Sequence, residues 1–303
     1  MHRLLILSKH ADAYRHLIDD ARLPDLEMAA DEASCDIVLG EPSLVAPAIN
    51  RLAGVRWVQS TWAGVEPLLD PSLRRDYVLT NARGIFGAPM SEYVFAYMLA
   101  HERRLFEKFA SQRERRWDPA PPGTLRGKTI GLLGVGSIGG ALARTAKLFG
   151  MRVKGYTRES ETSPDVDEYF HGGGREAFAR DLDYLVSVMP NTPATRRLVD
   201  ATLLAALPPH AVFINPGRGS TVDEAALADA LQAKRIAGAV LDVFDREPLP
   251  PEHRFWTLPN VLITSHTAAL TVPDDLAAVF VDNYRRLAAG AALRYVVSFS
   301  DGY

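Results

Sequence analysis

The stretch TIGLLGVGSIGGALARTAKLFG, residues 129–150, is the part of the chain that fewest folds can accept. Thr129–Leu133 is apolar but for its first residue and too short for a helix, so it reads as a strand covered on both faces. Gly134, Gly136 and Gly139 follow as G-x-G-x-x-G, a helical run comes next, Gly150 stops it, and a second strand is expected at Arg152–Tyr156. Strand, glycine turn, helix and strand at this spacing form a βαβ unit that binds a dinucleotide. The first glycine makes the tight turn, the second lets a pyrophosphate approach the backbone, and the third lets the helix pack on the strand. The helix N-terminus, with Ser137 and Ile138 in its first turn, offers N–H groups to the anion.

The surroundings extend the pattern into two series of short apolar runs. The first contains Arg3–Ser8, Cys35–Gly40, Arg56–Ser60 and Tyr77–Asn81, with amphipathic stretches at Ala11–Ala21 and Pro42–Ala53. The second contains Thr129–Leu133, Arg152–Tyr156, Tyr184–Met189, Ala211–Asn215, Ala237–Val243 and Val261–Thr264. Strands alternating with helices predict two α/β domains, each a doubly wound parallel sheet. A helical pattern from Ser91 to Arg116 lies between the series, with Tyr93, Val94, Tyr97, Met98, Leu105 and Phe109 at core spacing. The proline- and glycine-rich WDPAPPGTLRGK ends it. A last helix over Pro273–Ala288 and a β-like tail suggest that the chain returns to its first domain. We expect residues 1–97 and 275–303 to form a discontinuous substrate domain and 98–274 the dinucleotide-binding domain.

In an open sheet of this kind ligands bind beyond the carboxyl ends of the strands. The strands of the second series end at the glycine turn, at Thr157, at MPNTP, at NPGRGS, at LDVFDREP and at TSHTAA. Arg218, Asp242, Glu247 and His266 therefore fall on one rim. A carboxylate paired with a histidine orients it as a proton donor and acceptor. A guanidinium can grip a carboxylate with two parallel hydrogen bonds while polarising an adjacent carbonyl. With a hydride-carrying cofactor, these are the parts needed to reduce a 2-keto acid. At the end of the second strand, where an acidic residue would bind the ribose of NAD, Thr157 and Arg158 stand instead. An arginine there suits a 2′-phosphate, so NADP(H) is favoured over NAD(H). Glu159 and Glu161 are near enough that a shift of two residues would restore the NAD reading.

GLLGVGSIGG, SVMPNTPATRRLVD, FINPGRGSTVDEAAL, GAVLDVFDREPLP and PNVLITSHTAALT together resemble the D-isomer-specific 2-hydroxyacid dehydrogenase family over essentially the whole chain. The resemblance implies Arg218, Glu247 and His266 as catalytic residues and Asp242 as a nicotinamide contact. Pro190, Thr195, Pro216 and Gly217 would join the cofactor site. STWAGVE, residues 60–66, is similar to the family loop whose amides hold the substrate carboxylate: Ala63, Gly64 and Val65, with Trp62 as a wall. The family also implies a cleft between the domains and a homodimer built around the glycine-loop domain. Trp62 together with FGAPMSEYV is closest to the glyoxylate/hydroxypyruvate reductase branch, which implies a small 2-keto acid and NADPH. A nucleotide-sensing binding protein with little turnover is the alternative, because some family relatives act as co-repressors. A phosphite-type dehydrogenase is compatible with the same three residues, whereas Glu247 argues against the formate type.

Composition removes other classes. Hydrophobic residues make up 47% and charged residues 23%, enough for a sizeable core. A net charge of −3 without a basic block argues against nucleic acid. No apolar run has membrane-spanning length and no signal-peptide pattern opens the chain. The single cysteine, Cys35, suits a reducing compartment, and a cytoplasmic location is expected. The eight histidines show no metal-ligand spacing. HGGG at 171–174 looks like an esterase oxyanion loop, but no G-x-S-x-G accompanies it, and it is read as a flexible loop.

Overall fold

The computed structural model describes residues 1–302, and contacts divide the chain into two compact units. Met1–Ile85 groups with the segment from Thr271 onward, and Phe86–Leu270 forms the other unit. The contact boundaries thus fall at 85/86 and 270/271, where the sequence placed them at 97/98 and 274/275.

The first unit opens with β1 (His2–Leu7), α1 (Ala11–Asp20), β2 (Leu26–Met28), β3 (Ile37–Gly40), α2 (Pro42–Ile49), β4 (Trp57–Ser60) and β5 (Val78–Thr80). Its strands are all parallel, in the order β2-β1-β3-β4-β5. Every residue of β3 and β4 is buried, as expected of strands covered on both faces. Val38, Val45, Ile49, Val58, Leu68 and Leu79 fill one face.

The second unit begins with α3 (Gly87–Glu102) and α4 (Leu105–Arg113). The single helix expected from Ser91 to Arg116 is therefore two. Arg104 breaks it in the left-handed region, at φ 54°. Lys108 ties back the segment beyond α4, its Nζ donating to the carbonyls of Asp118 at 2.6 Å and Ala120 at 2.8 Å. The break also divides the apolar positions. Val94 and Met98 are fully buried, but Leu105 and Phe109, expected in the core, are 56% and 57% exposed.

There follow β6 (Thr129–Leu133), α5 (Ser137–Leu148), β7 (Arg152–Tyr156), β8 (Glu168–Phe170), α6 (Arg175–Ala179), β9 (Tyr184–Ser187), α7 (Ala201–Ala206), β10 (Val212–Asn215), α8 (Glu224–Gln232), β11 (Gly238–Leu241) and β12 (Val261–Ile263). These strands form one parallel sheet in the order β12-β11-β10-β9-β6-β7-β8. Strand order reverses between β6 and β9, the switch point beside which doubly wound sheets bind ligands. Phe178, Leu185, Phe213 and Leu227 pack one face, and Met98, Ile130, Leu142 and Val153 the other. The chain then returns to the first unit through α9 (Pro273–Ala288), which packs on α1. Phe280 of α9 stacks on Trp57 with ring centroids 5.1 Å apart, and Val296 of the tail bridges Thr80. Two short strands, β2 and β8, were not anticipated, because three residues are too few to show a period.

Candidate active site

The glycine turn is built as its three glycines require. Gly134 has φ +95°, which L side chains rarely adopt. A β-carbon on Gly139 would lie 2.2 Å from the Gly134 carbonyl oxygen, so helix and turn touch only because both residues are glycine. A β-carbon on Gly136 would meet nothing within 4 Å. That residue caps α5 from extended backbone without a side-chain hydrogen bond. Ser137 is exposed and Ile138 half-buried just after it. An uncapped helix N-terminus behind an open glycine fits the pyrophosphate of a dinucleotide.

The neighbouring loops brace one another. Thr195 Oγ1 donates to the Pro190 carbonyl at 2.6 Å, and Ser220 Oγ donates to Asn191 Oδ1 at 2.9 Å. Pro216 and Gly217 are buried. The placement of Arg218 between two glycines now has a steric cause. A β-carbon on Gly217 would come within 2.7 Å of the Ser187 carbonyl oxygen, and one on Gly219 within 1.9 Å of the Phe244 carbonyl carbon. The turn is wedged between the ends of β9 and β11. Asn215 Nδ2 (3.1 Å) and Thr221 Oγ1 (2.7 Å) both donate to the Arg218 carbonyl. The Arg218 backbone is thereby held, and its half-buried side chain donates from Nη1 to the Gly217 carbonyl of the same turn at 2.9 Å.

His266 and Glu247 meet: Nδ1 lies 2.7 Å from Glu247 Oε2. Glu247 Oε1 in turn accepts from the Phe244 amide at 2.9 Å, so both carboxylate oxygens are engaged. With Nδ1 on the carboxylate, exchange of a proton with a substrate falls to Nε2. The imidazole side chain is 56% exposed, so a small molecule can reach it.

Asp242, expected as a nicotinamide contact, is 1% exposed and holds the histidine loop together. Its Oδ1 accepts from Thr264 Oγ1 and from the Thr267 amide, and its Oδ2 from the Ala268 amide. The His266 amide donates to the Asp242 carbonyl at 2.8 Å, and His266 sits at φ +56°, an unfavourable conformation for a residue with a side chain. A buried carboxylate that gathers several donors is a strong point of attachment, and here it secures that strained backbone. Tyr93 of α3 adds a further link. Its hydroxyl is 2.8 Å from Thr264 Oγ1, and since the threonine proton goes to the carboxylate, the tyrosine donates. Burial raises the Tyr93 pKa far above the ordinary range and keeps that donor protonated. Spacing had marked Tyr93 as packing, and nothing in the sequence marked Thr264 as its partner.

In the first unit, Trp62 is exposed and Val65 buried, with Ala63 and Gly64 between them. Ser60 Oγ accepts from the Trp62 amide at 3.0 Å and donates to its carbonyl at 2.9 Å, while Asn81 Nδ2 donates to the Ala63 carbonyl at 2.9 Å. The amides of Ala63, Gly64 and Val65 take no part in that bracing.

At the end of β7, Thr157 Oγ1 donates to the Ser160 carbonyl at 2.7 Å, and Arg158 and Glu159 are exposed. Glu161 faces His171, at 2.8 Å from Nε2. HGGG is not an irregular loop: Gly172–Gly174 forms a 3-10 turn leading into α6. Among the described residues no cluster of histidine, cysteine or carboxylates could hold a metal ion, and no helix is long and apolar enough to cross a membrane.

Residues 95–268, more than half of the chain, match the family model for the NAD-binding domain of D-isomer-specific 2-hydroxyacid dehydrogenases. The chain belongs to that family. Glyoxylate/hydroxypyruvate reductase A of Serratia proteamaculans is 33% identical over 93% of both chains. Among solved structures, a family member from Aeromonas salmonicida superimposes with a TM-score of 0.92 at 38% identity, over 98% of this chain and 99% of that one. An NADPH-dependent glyoxylate/hydroxypyruvate reductase from Sinorhizobium meliloti, in complex with NADP and sulfate, gives 0.87 at 29% identity over the full length of both.

Proposed function

We propose that this 2-hydroxyacid dehydrogenase reduces small 2-keto acids, glyoxylate or hydroxypyruvate, to D-2-hydroxy acids with NADPH as the preferred cofactor. The His266–Glu247 couple carries the reading, 2.7 Å apart and on the same rim as the glycine turn and Arg218. The nicotinamide, when bound, supplies the hydride. Arg218 binds the substrate as an anion and polarises its carbonyl, and His266 Nε2 protonates the carbonyl oxygen. Glu247 orients the imidazole and stabilises its charged form, while Asp242 holds the loop that bears it. Trp62, Ala63, Gly64 and Val65 are assigned to the substrate, the three amides to its carboxylate and the indole to its apolar side.

Preference for NADPH is supported by Thr157 and Arg158 at the end of β7, by the engagement of Glu161 with His171, and by relatives solved with NADPH or NADP. We further infer a homodimer. Leu105, Phe106, Phe109 and Trp117 are each more than half exposed on or just after α4, an apolar surface that a second copy would cover. Phe109→Glu should leave a monomer by light scattering. A cytoplasmic location agrees with the one unpaired cysteine, buried Cys35, and cell fractionation tests it.

A matrix of NADPH and NADH against short 2-keto acids tests the activity. Oxidation of NADPH by glyoxylate or hydroxypyruvate is expected. Tight cofactor binding without turnover on any acid would overturn the proposal in favour of a nucleotide-sensing protein.

A further inference from the structure

The HGGG segment remains outside the reaction described so far, and its histidine stands where the cofactor's ribose is expected. β8 runs parallel beside β7 with Tyr156 opposite Phe170, and the Thr157 amide donates to the Phe170 carbonyl at 3.1 Å. His171 therefore emerges on the rim next to Thr157, the residue that ends the second strand of the dinucleotide unit.

The ring's partners determine its protons. Nδ1 lies 3.1 Å from the Thr157 carbonyl oxygen, which can only accept, and 3.1 Å from Thr157 Oγ1, whose own proton goes to Ser160. Nδ1 must therefore carry a hydrogen. Nε2 lies 2.8 Å from Glu161 Oε1, a carboxylate oxygen that also accepts. Donating at both nitrogens requires the imidazolium. The Glu161 hydrogen bond first, and the Thr157 backbone second, raise the His171 pKa above its ordinary 6.5, with the charges of Glu161 and Glu159 adding to the effect. The other groups around the ring are Tyr169, stacked at 6.4 Å, and Arg158 in the adjoining turn. Arg175, at the start of α6, is directed elsewhere, to the Leu198 carbonyl and Asp200.

We propose that His171 is a specificity-determining residue for the cofactor: its imidazolium, fixed between Thr157 and Glu161, is a second cation for the 2′-phosphate, beside Arg158. Glu161, which would otherwise repel the phosphate or accept a ribose hydroxyl from NADH, is occupied as the counter-ion of His171. The charge is present below the His171 pKa and lost as pH rises through it, so discrimination for the phosphorylated cofactor declines in the same direction.

The inference rests on the NADPH reading, and one set of measurements separates the two. Adenosine 2′,5′-bisphosphate and 5′-AMP are titrated into the full chain by calorimetry at about pH 6 and about pH 8.5, on either side of an ordinary histidine pKa. Wild type, His171→Gln and Glu161→Gln are compared, and kcat/KM for NADPH and NADH is measured alongside. His171→Gln should weaken the bisphosphate roughly two- to fivefold at the lower pH, the size of one exposed charge contact, and leave 5′-AMP unchanged. Glu161→Gln should keep the histidine's contribution to bisphosphate binding at the lower pH and give it up at a lower pH than wild type does. If wild type binds the bisphosphate no better than 5′-AMP, the NADPH reading fails and this inference with it. If wild type discriminates but His171→Gln discriminates as strongly as wild type at the lower pH, the histidine has no such role and the NADPH reading stands on Arg158.

Discussion

The two units are built alike and equipped differently. Each is an all-parallel sheet whose inner strands are buried on both faces, and each presents loops at the carboxyl ends of its strands. On the five-stranded sheet that rim is made of Ser60, Thr61, Thr80 and Asn81, all buried and neutral. Glu41, the buried carboxylate beside them, is committed to Ser8 Oγ at 3.1 Å and the Lys9 amide at 2.8 Å. The seven-stranded sheet places Arg218, Asp242, Glu247 and His266 on its rim. One architecture thus presents neutral hydroxyls and amides in one unit and ionisable side chains in the other. Fold alone does not distinguish these roles; the residues that end each strand do.

The contrast breaks most easily at His266. His266→Ala should lower kcat/KM by about 10²- to 10⁴-fold, the usual contribution of a general acid, with the melting temperature nearly unchanged because the side chain is exposed. A loss below tenfold would remove the proton-transfer role. Asp242→Asn keeps the shape but turns an acceptor oxygen into an NH2 group facing backbone donors. It should cost about 1 to 3 kcal/mol of stability by urea denaturation and lower kcat as the histidine loop loosens. If kcat is unchanged, the loop does not depend on the carboxylate. Gly219→Ala presses a methyl group into the Phe244 backbone and should destabilise by about 1 to 3 kcal/mol with a fall in activity. The smallest effect belongs to the neutral rim. Ser60→Ala removes a hydroxyl that bonds both the amide and the carbonyl of Trp62, for about 1 kcal/mol and a rise in KM rather than a fall in kcat. A large fall in kcat there would mean that the first unit shares in the chemistry.

Much of this was legible because long-range chemistry was encoded locally. Thr129–Leu133 followed by three spaced glycines announced the dinucleotide turn before any contact was known, and apolar runs ending in charged residues announced the rim. What escaped notice depended on register and on burial. β8 is too short to show a pattern, so His171 could not be seen to end a strand beside Thr157. Helical spacing carried on through Arg104, because neither glycine nor proline marks the break there. The family resemblance makes Asp242 a nicotinamide contact, and only its burial and its hydrogen bonds from the Thr267 and Ala268 amides show a carboxylate that anchors a loop.

The interrupted sequence of the first unit also has a consequence for synthesis. Residues 86–270 leave the ribosome complete and can collapse on their own contacts, while the five-stranded sheet still lacks Phe280 against Trp57. Until α9 emerges, that indole face is bare to the cell's chaperones. A chain stopped near residue 270 should therefore carry one finished half and one sticky half.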